Sequence, residues 1–219
     1  MRKEYSPVER ITMNKKNKLN TGTIIKIPLE HNLGFVLAKF INLNEILNKP
    51  NHNEFIYVYN KVFKEEEIVI DGIDDNELLL GGVFVLDLLP VIRNKTWETI
   101  GYLEPKNSEL KIPDFKDYGP ILATYEKDAK FWYCIKNFEI NNRIVVEWDE
   151  VHHLEKFTYY SHDIVVRRLT MEVIRQSDKK IENYYSLKEW KELAPYYNTL
   201  YTPVYSSISF EIRGEMIKK

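Results

Sequence analysis

The stretch TGTIIKIPLEHNLGFVLAKF, residues 21–40, contains two apolar runs joined by a short polar link. The first run, Ile24 to Leu29, is rich in β-branched residues and has Pro28 near its end, a position that suits a strand terminus or a sheet edge. The second run begins at Gly34, after a link of about five residues, which is a common hairpin length. Because neither run alternates strongly with polar residues, the pattern predicts two paired strands that are covered on both faces.

Further strand-like segments follow this hairpin along the chain. Residues 55–63 alternate between the two sides of a predicted third strand, and the run 78–92 predicts a buried strand. Residues 97–103 predict another strand, with a break at Gly101. After Pro120 the pattern restarts. Strands are predicted at residues 121–125, 131–136, 143–148 and 204–212, and a further apolar run lies at residues 164–174.

The clearest helix signal lies at Ser186 to Leu193, with the sequence SLKEWKEL. Ser186 can cap this helix, and Glu189 completes a capping box three residues later. Apolar side chains recur there at helical spacing, and Pro195 is predicted to end the helix. Together these segments predict a mainly β protein of the α+β class. It would be built from twisted antiparallel sheets or small barrel-like halves, with a short C-terminal helix.

The length of 219 residues fits one large or two small domains. Residues 1–20 are polar and basic and predict an N-terminal arm. Turn residues at Tyr118 to Pro120 mark a boundary between a β-rich domain, residues 21–118, and a second β-rich half, residues 119–219, which has a helix near residues 186–194. These two halves are either separate domains or one continuous domain.

Composition argues against several classes of partner. The net charge of −2 lacks both the basic excess of a phosphate-binding protein and the strong acidity of a nuclease inhibitor that imitates DNA. A membrane partner is not expected either, because the longest apolar run, residues 83–92, is interrupted by Asp87 and Pro90. The N-terminus has no apolar signal-peptide core, and Cys134 is the single cysteine, so no internal disulfide is possible and a cytoplasmic location is predicted.

Candidate catalytic and metal-binding residues are few. His152 and His153 are adjacent, which does not match the i, i+4 spacing of a zincin helix, and they follow a predicted strand in a polar turn. Gly81-Gly82 lacks the pattern of a phosphate-binding loop, and the acidic segment 71–77 lacks calcium-loop spacing. No metal, cofactor or catalytic residue is therefore predicted. An enzyme that uses His152, His153 or His162 is kept as an alternative, which bound zinc or nickel in a purified sample would support.

Aromatic residues occur in runs, at residues 131–133, 159–160, 184–185 and 196–197. Neighbouring rings on a strand point to opposite faces, so each pair can present one ring to the core and one outward. Core packing is the simplest interpretation of these runs. For any outward ring, a protein partner is favoured over nucleic acid, because no basic cluster accompanies the rings.

A family resemblance adds to this interpretation. Residues 21–40 are similar to the opening of the bacterial immunity protein 26 family, which has a glycine, a strand ending in Ile-Pro-Leu, a turn and a Gly-Phe/Tyr strand. The matching positions here are Gly22, residues 27–29 and Gly34-Phe35. Later positions of the family are matched by Trp97, Ile100-Gly101 and Pro113-Asp114-Phe115. The resemblance covers roughly residues 21–118, about half of the chain.

The resemblance implies a small cytoplasmic β-rich protein that neutralises a cognate toxin of a polymorphic toxin system. The mechanism implied is stoichiometric protein binding, not catalysis. Because aromatic anchors dominate protein interfaces, we predict partner contacts at the loop aromatics and acids Trp97, Tyr102, Asp114, Phe115 and Tyr118. The alternative is a nucleic-acid-associated β-barrel module in a phage-defence or mobile-element context, which salt-dependent binding to single strands would favour.

Overall fold

The computed structural model describes residues 19–47, 54–64, 70, 73, 77–120 and 125–218. Nearly all of the predicted N-terminal arm, most of the acidic segment 71–77 and residues 121–124 of a predicted strand lie outside these ranges. None of the helices within them has the length and apolar character needed to cross a bilayer.

Nine strands form two sheets in the described part of the chain. They are, in chain order, β1 (Thr23–Pro28), β2 (Phe35–Ile41), β3 (Phe55–Tyr59), β4 (Leu78–Val85), β5 (Glu98–Tyr102), β6 (Phe115–Gly119), β7 (Phe131–Ile135), β8 (Ile144–Val146) and β9 (Tyr159–Tyr160). The larger sheet has the order β5-β1-β2-β3-β4-β9, with β9 parallel to β4 and the other pairs antiparallel. The smaller sheet is antiparallel, in the order β6-β7-β8.

Five α-helices accompany these sheets within the described ranges. They are α1 (Leu43–Leu47), α2 (Leu88–Arg93), α3 (Trp148–Val151), α4 (His162–Gln176) and α5 (Trp190–Tyr201). The chain is therefore a β-rich α+β protein with a short C-terminal helix, and the predicted fold class is confirmed.

The opening hairpin, β1 and β2, lies inside the larger sheet. β1 pairs with β5 on one side and with β2 on the other. Pro28 pairs with Phe35 at the end of the strand, a position where a residue without a backbone N–H is tolerated in a sheet. Gly34 adopts a φ of +106°, and a Cβ there would collide with the carbonyl oxygen of Phe63. Every residue of β2 is buried, which confirms the prediction of a hairpin covered on both faces.

One face of the larger sheet packs against helices. Side chains of alternate strand residues, such as Ile25 and Val36, share a core with Leu88 of α2 and with Val165 and Leu169 of α4. Every second side chain of a strand points to this face of the sheet, and side chains spaced by four along α4 point toward it. These two sets of apolar side chains pack together in one layer. This layer holds the N-terminal part of the chain against its C-terminal half.

The other face carries an aromatic cluster, composed of Phe55, Phe84, Phe115, Phe138 and Phe157. Phe84 on β4 lies at its centre, with ring centroids 5.1 Å from Phe55, 5.4 Å from Phe115 and 4.9 Å from Phe138. Most of these pairs are tilted or edge-to-face, which is the favoured geometry for aromatic rings. The cluster therefore joins the larger sheet to the smaller sheet.

Two apolar segments of the C-terminal half differ from their predicted form. The run at residues 164–174 lies within α4, and the predicted helix 186–193 is displaced to α5, which begins at Trp190 and extends past Pro195. Leu187 has a φ of +53°, and the Ser186 hydroxyl donates to Glu192 instead of capping. Packing of α5 against α4 outweighs the local cost of proline inside a helix.

Two predicted strands also need correction. The run 78–92 is a strand only as far as Val85; it then enters α2, where Pro90 occupies the first turn and needs no hydrogen-bond acceptor. Residues 204–212 are not a strand but a short 3₁₀ turn followed by further turns. Arg213 donates to the carbonyls of Ile208 at 2.8 Å and Ser206 at 3.0 Å, so backbone acceptors of this segment are satisfied locally and not by a sheet.

Candidate functional site

The five predicted contact residues do not form one surface. Trp97 and Phe115 are each about 1% exposed; Trp97 lies in the core under α4, and Phe115 lies in the aromatic cluster. Asp114 is partly buried, forms an ion pair with Lys136 at 3.1 Å and accepts a hydrogen bond from the backbone N–H of Met216. In this conformation these three side chains stabilise the fold and offer little area to a partner.

The other two predicted contacts differ from each other. Tyr102, at the end of β5, is 53% exposed. Tyr118, on β6, is buried, but its side chain lines a surface recess. Tyr102 and Tyr118 are therefore the members of the predicted set that reach an accessible surface or its lining.

The recess beside Tyr118 is a cavity of about 260 Å³, which we call the aromatic recess. Its lining residues are Tyr118, Tyr125, Lys156, Thr158, Tyr160, Trp190, Ala194 and Asn198. Trp190, Ala194 and Asn198 follow one another at a spacing of four on α5, so a single helix face forms one wall. Trp190 is 58% exposed, which makes it the most accessible large ring of the recess.

Polar groups inside the aromatic recess are held in place by one another. The Lys156 ammonium donates a hydrogen bond to the Tyr118 hydroxyl at 2.7 Å, and the Asn198 amide contacts the Tyr160 hydroxyl. Burial lowers the pKa of Lys156 and raises the pKa of Tyr118, because each charged form loses hydration there. The recess therefore combines aromatic walls with a positioned cation that can donate further hydrogen bonds.

A buried charged network lies beneath the aromatic recess. Lys116 of β6 forms an ion pair with Glu126 at 2.8 Å, and its ammonium also donates to the His152 carbonyl and the Thr202 hydroxyl. Burial lowers the pKa of Lys116 and raises that of Glu126, although each partner's charge opposes the shift of the other. This network ties β6 to the end of α5 and so positions the floor of the recess.

Two larger recesses also lie in the described structure. One, of about 410 Å³, is lined by Lys26, Lys64 and Lys95 together with Glu98. The other, of about 290 Å³, lies between residues 108–113 and the C-terminal segment, and its lining includes Tyr57, Tyr205 and Phe210. Protein interfaces are enriched in aromatic residues and depleted in lysine, so the aromatic recess is a stronger candidate for a protein contact than the lysine-lined recess.

The three histidines of the enzyme alternative lie in different structural contexts. His162 begins α4, where Asp87 accepts both its backbone N–H at 2.9 Å and a contact from its ring Nδ1 at 2.6 Å. His152 stacks on Trp148, with ring centroids 4.6 Å apart. Residues 148–151 form α3, and His152 and His153 lie in the turn that follows it, as predicted. His153 is buried there, so the turn is not fully solvated. Among the described residues, no group of three or more His, Cys, Asp or Glu side chains could hold a metal ion.

The buried His153 predicts an acid-dependent loss of stability. Its Nε2 lies 2.7 Å from the Glu215 carbonyl oxygen and its Nδ1 is buried, so protonation would place a charged ring where water does not hydrate it. Burial accordingly lowers the pKa of His153 below its ordinary 6.5. The unfolded chain takes up this proton first as the pH falls, so stability is lost from about pH 6.5 downward.

We expect His153→Gln to lose less stability than the wild type between pH 7.5 and pH 5. The measurement is urea unfolding at each pH, since the difference between the two proteins cancels the contributions of other groups. His152→Gln serves as the control, because His152 is more exposed. Equal pH dependence of the wild type and His153→Gln would contradict the assignment.

Sequence reasoning missed the aromatic recess because it ended the C-terminal helix at Pro195. That boundary removed Asn198 from the helix, and the apolar spacing within SLKEWKEL counted Trp190 as a residue of the buried helix face. The spacing of Trp190, Ala194 and Asn198 is the signal that could have revealed the wall. Lys156 and Tyr118 come together only in the folded chain.

Comparison with known proteins bears on the N-terminal part of the chain. No curated protein and no solved structure matches the chain. Residues 20–123 match the model of the family Immunity protein 26, and this range contains the hairpin, Trp97 and the Pro113-Asp114-Phe115 segment on which the resemblance rests. The predicted resemblance to this family is therefore confirmed over residues 20–123, and the family implies an immunity protein of toxin systems.

Proposed function

We propose that this protein is a cytoplasmic immunity protein that neutralises one cognate toxin by stoichiometric binding. The observation that carries the proposal is the family match over residues 20–123. Binding without catalysis agrees with His152, His153 and His162, which pair individually with the backbone or with a neighbouring side chain. The toxin would be inactivated by occupation of its surface for as long as the complex lasts.

We further propose that the toxin contacts the aromatic recess, with Trp190 as the main anchor. An exposed ring beside a recess is the arrangement that concentrates binding energy, because it removes apolar area from water while its neighbours exclude solvent. Tyr118 contributes from the recess wall, and Tyr102 is a separate accessible aromatic of the sequence-based set. Trp97 and Phe115 support these positions from the core.

Co-expression with the toxin encoded beside the gene tests the proposed function. Growth should be restored, and the two proteins should elute as a complex of fixed stoichiometry from size-exclusion chromatography. Rescue without any complex would argue for a chemical mechanism, and failure to rescue would reject that toxin as the cognate partner. An immunity protein should also leave unrelated toxins active, which provides the specificity control.

Replacement of Trp190 by alanine distinguishes the proposed surface from the alternatives. We expect toxin binding to weaken by about 30-fold or more, the effect of a central aromatic anchor. Tyr102→Ala tests the sequence-based surface, and Phe210→Ala is a matched control because Phe210 is also a largely exposed ring but lines the recess at the C-terminal segment. Titration calorimetry would report the dissociation constants. A weaker effect at Trp190 than at Tyr102 would contradict the recess and favour the end of β5.

A further inference from the structure

An apolar strand lies at the edge of the smaller sheet. β8 pairs with β7 on one side, and in the described structure no strand pairs with its other side. Val145 at its centre is 72% exposed, and the neighbouring Ile140, Ile144 and Trp148 are also exposed. Soluble proteins usually protect such an edge with lysine, proline or a covering element, and β8 itself contains none of these residues.

The extended backbone continues beyond both ends of β8. Arg143 has φ −61° and ψ 138°, and Glu147 has φ −84° and ψ 156°. Residues 143–147, with the sequence RIVVE, therefore form a five-residue extended segment that has a cation at its start and an anion at its end. We call residues 143–147 the edge segment.

The order of charges in the edge segment makes it self-complementary. When a second copy pairs antiparallel about Val145, Arg143 of each copy lies opposite Glu147 of the other, and Ile144 lies opposite Val146. Opposite charges at directly facing positions stabilise a strand pair, and both exposed apolar positions of the strand become covered. We propose that the edge segment binds the edge segment of a second copy of this chain, forming a two-fold symmetric dimer.

Val145 and Arg143 lie on the same face of the smaller sheet as Tyr133. Val145 pairs with Tyr133 of β7, and the Arg143 guanidinium lies 4.1 Å from the Tyr133 ring centroid, so in a single copy Arg143 packs on β7 and would turn toward the open edge to meet Glu147 of the second copy. Glu147 accepts the backbone N–H of Glu150 in a capping box, and a carboxylate has further acceptor positions for an arginine. The proposed dimer would thus have a continuous six-stranded sheet made of β6, β7 and β8 from each copy.

A second copy fits the edge segment better than an unrelated strand does. Any antiparallel partner centred on Val145 needs a cation opposite Glu147 and an anion opposite Arg143, and the edge segment itself has this order. A contact of only five residues per copy is small, so the dimer should be reversible. This inference is independent of toxin binding, which we assign to the aromatic recess.

Complementary charge reversals provide the test. Arg143→Glu and Glu147→Lys each create two like-charge pairs in their own homodimer, and each should weaken dimerisation by about tenfold. An equimolar mixture of the two variants forms a heterodimer in which both pairs are again opposite in charge. Analytical ultracentrifugation should therefore show association in the mixture at concentrations where each variant alone is monomeric, and this restoration also shows that both variants are folded.

Val145→Lys supplies an independent variant, because it places two ammonium groups side by side on the two-fold axis. It should be monomeric where the wild type is half dimeric, and Leu86→Lys, a comparably exposed apolar residue at 62%, should dimerise normally. A wild type that stays monomeric at millimolar concentration would overturn the proposal. A mixture of the two charge variants that associates no better than either variant alone would also overturn it.

Discussion

Replacing Arg168 by alanine is expected to lower the free energy of unfolding by about 3–5 kcal/mol. Arg168 is 2% exposed on α4, and its guanidinium lies 2.8 Å from Glu172, 3.6 Å from Glu155 and 3.1 Å from the Thr199 hydroxyl. Alanine would leave Glu155 and part of the Glu172 carboxylate without their cation in a region that water does not reach. It would also remove a hydrogen bond between α4 and α5, since Thr199 belongs to α5.

The adjacent Arg167 provides a matched control for this prediction. Arg167 lies on the same helix and forms ion pairs with Asp163 at 3.1 Å and Glu30 at 3.6 Å, but all three groups are partly exposed. Water and salt screen such pairs, so Arg167→Ala should cost no more than about 1 kcal/mol. Urea unfolding gives both values, and equal costs for the two arginines would contradict a special role for the buried network.

Replacing Phe84 by alanine is expected to destabilise the protein by about 3–5 kcal/mol. Phe84 is fully buried at the centre of the aromatic cluster, and its removal leaves a cavity between β4, β6 and β9. The surrounding rings belong to both sheets, so relaxation of one sheet alone cannot fill the space. Leu86→Ala, two residues further along and exposed, should change stability by less than about 0.5 kcal/mol.

Phe84→Ala also tests whether the two halves of the chain unfold together. Trp97 reports on the larger sheet and Trp132 on the smaller one, so selective replacement of the other tryptophans allows each half to be followed by fluorescence. If the shared cluster couples them, both probes should show one unfolding midpoint, lowered together in Phe84→Ala. Two separate midpoints, only one of which moves, would instead support the predicted division at residues 118–120 into two domains.

Local sequence patterns predicted the larger sheet well. In the opening hairpin, Pro28, Gly34 and the continuous apolar runs indicated strand ends, a turn and two covered faces, and all of these are properties of adjacent residues. β3 and β5 were recognised for the same reason. Cys134, in the aromatic run after residue 130, is buried, and burial raises the pKa of its thiol to about 12.

Segments whose form depends on distant partners were predicted less well. The run at residues 164–174 contains β-branched residues and two arginines, and its helical form depends on packing beneath the larger sheet and on the Arg168 ion pairs. The C-terminal helix passes through Pro195 because α4 provides a surface for it. Residues 204–212 alternate like a strand, but turns and Arg213 satisfy their backbone instead.

By itself, the sequence determined the β-rich class and the hairpin that carries the family pattern. Each of these depends on the order of neighbouring residues, which chain geometry converts directly into turns, faces and cross-strand pairs. Only the tertiary structure decided that Trp97 and Phe115 are core residues, whereas Trp190 lies exposed beside Tyr118 and Lys156. Burial depends on which distant elements cover a side chain, and that information is absent from any local stretch of sequence.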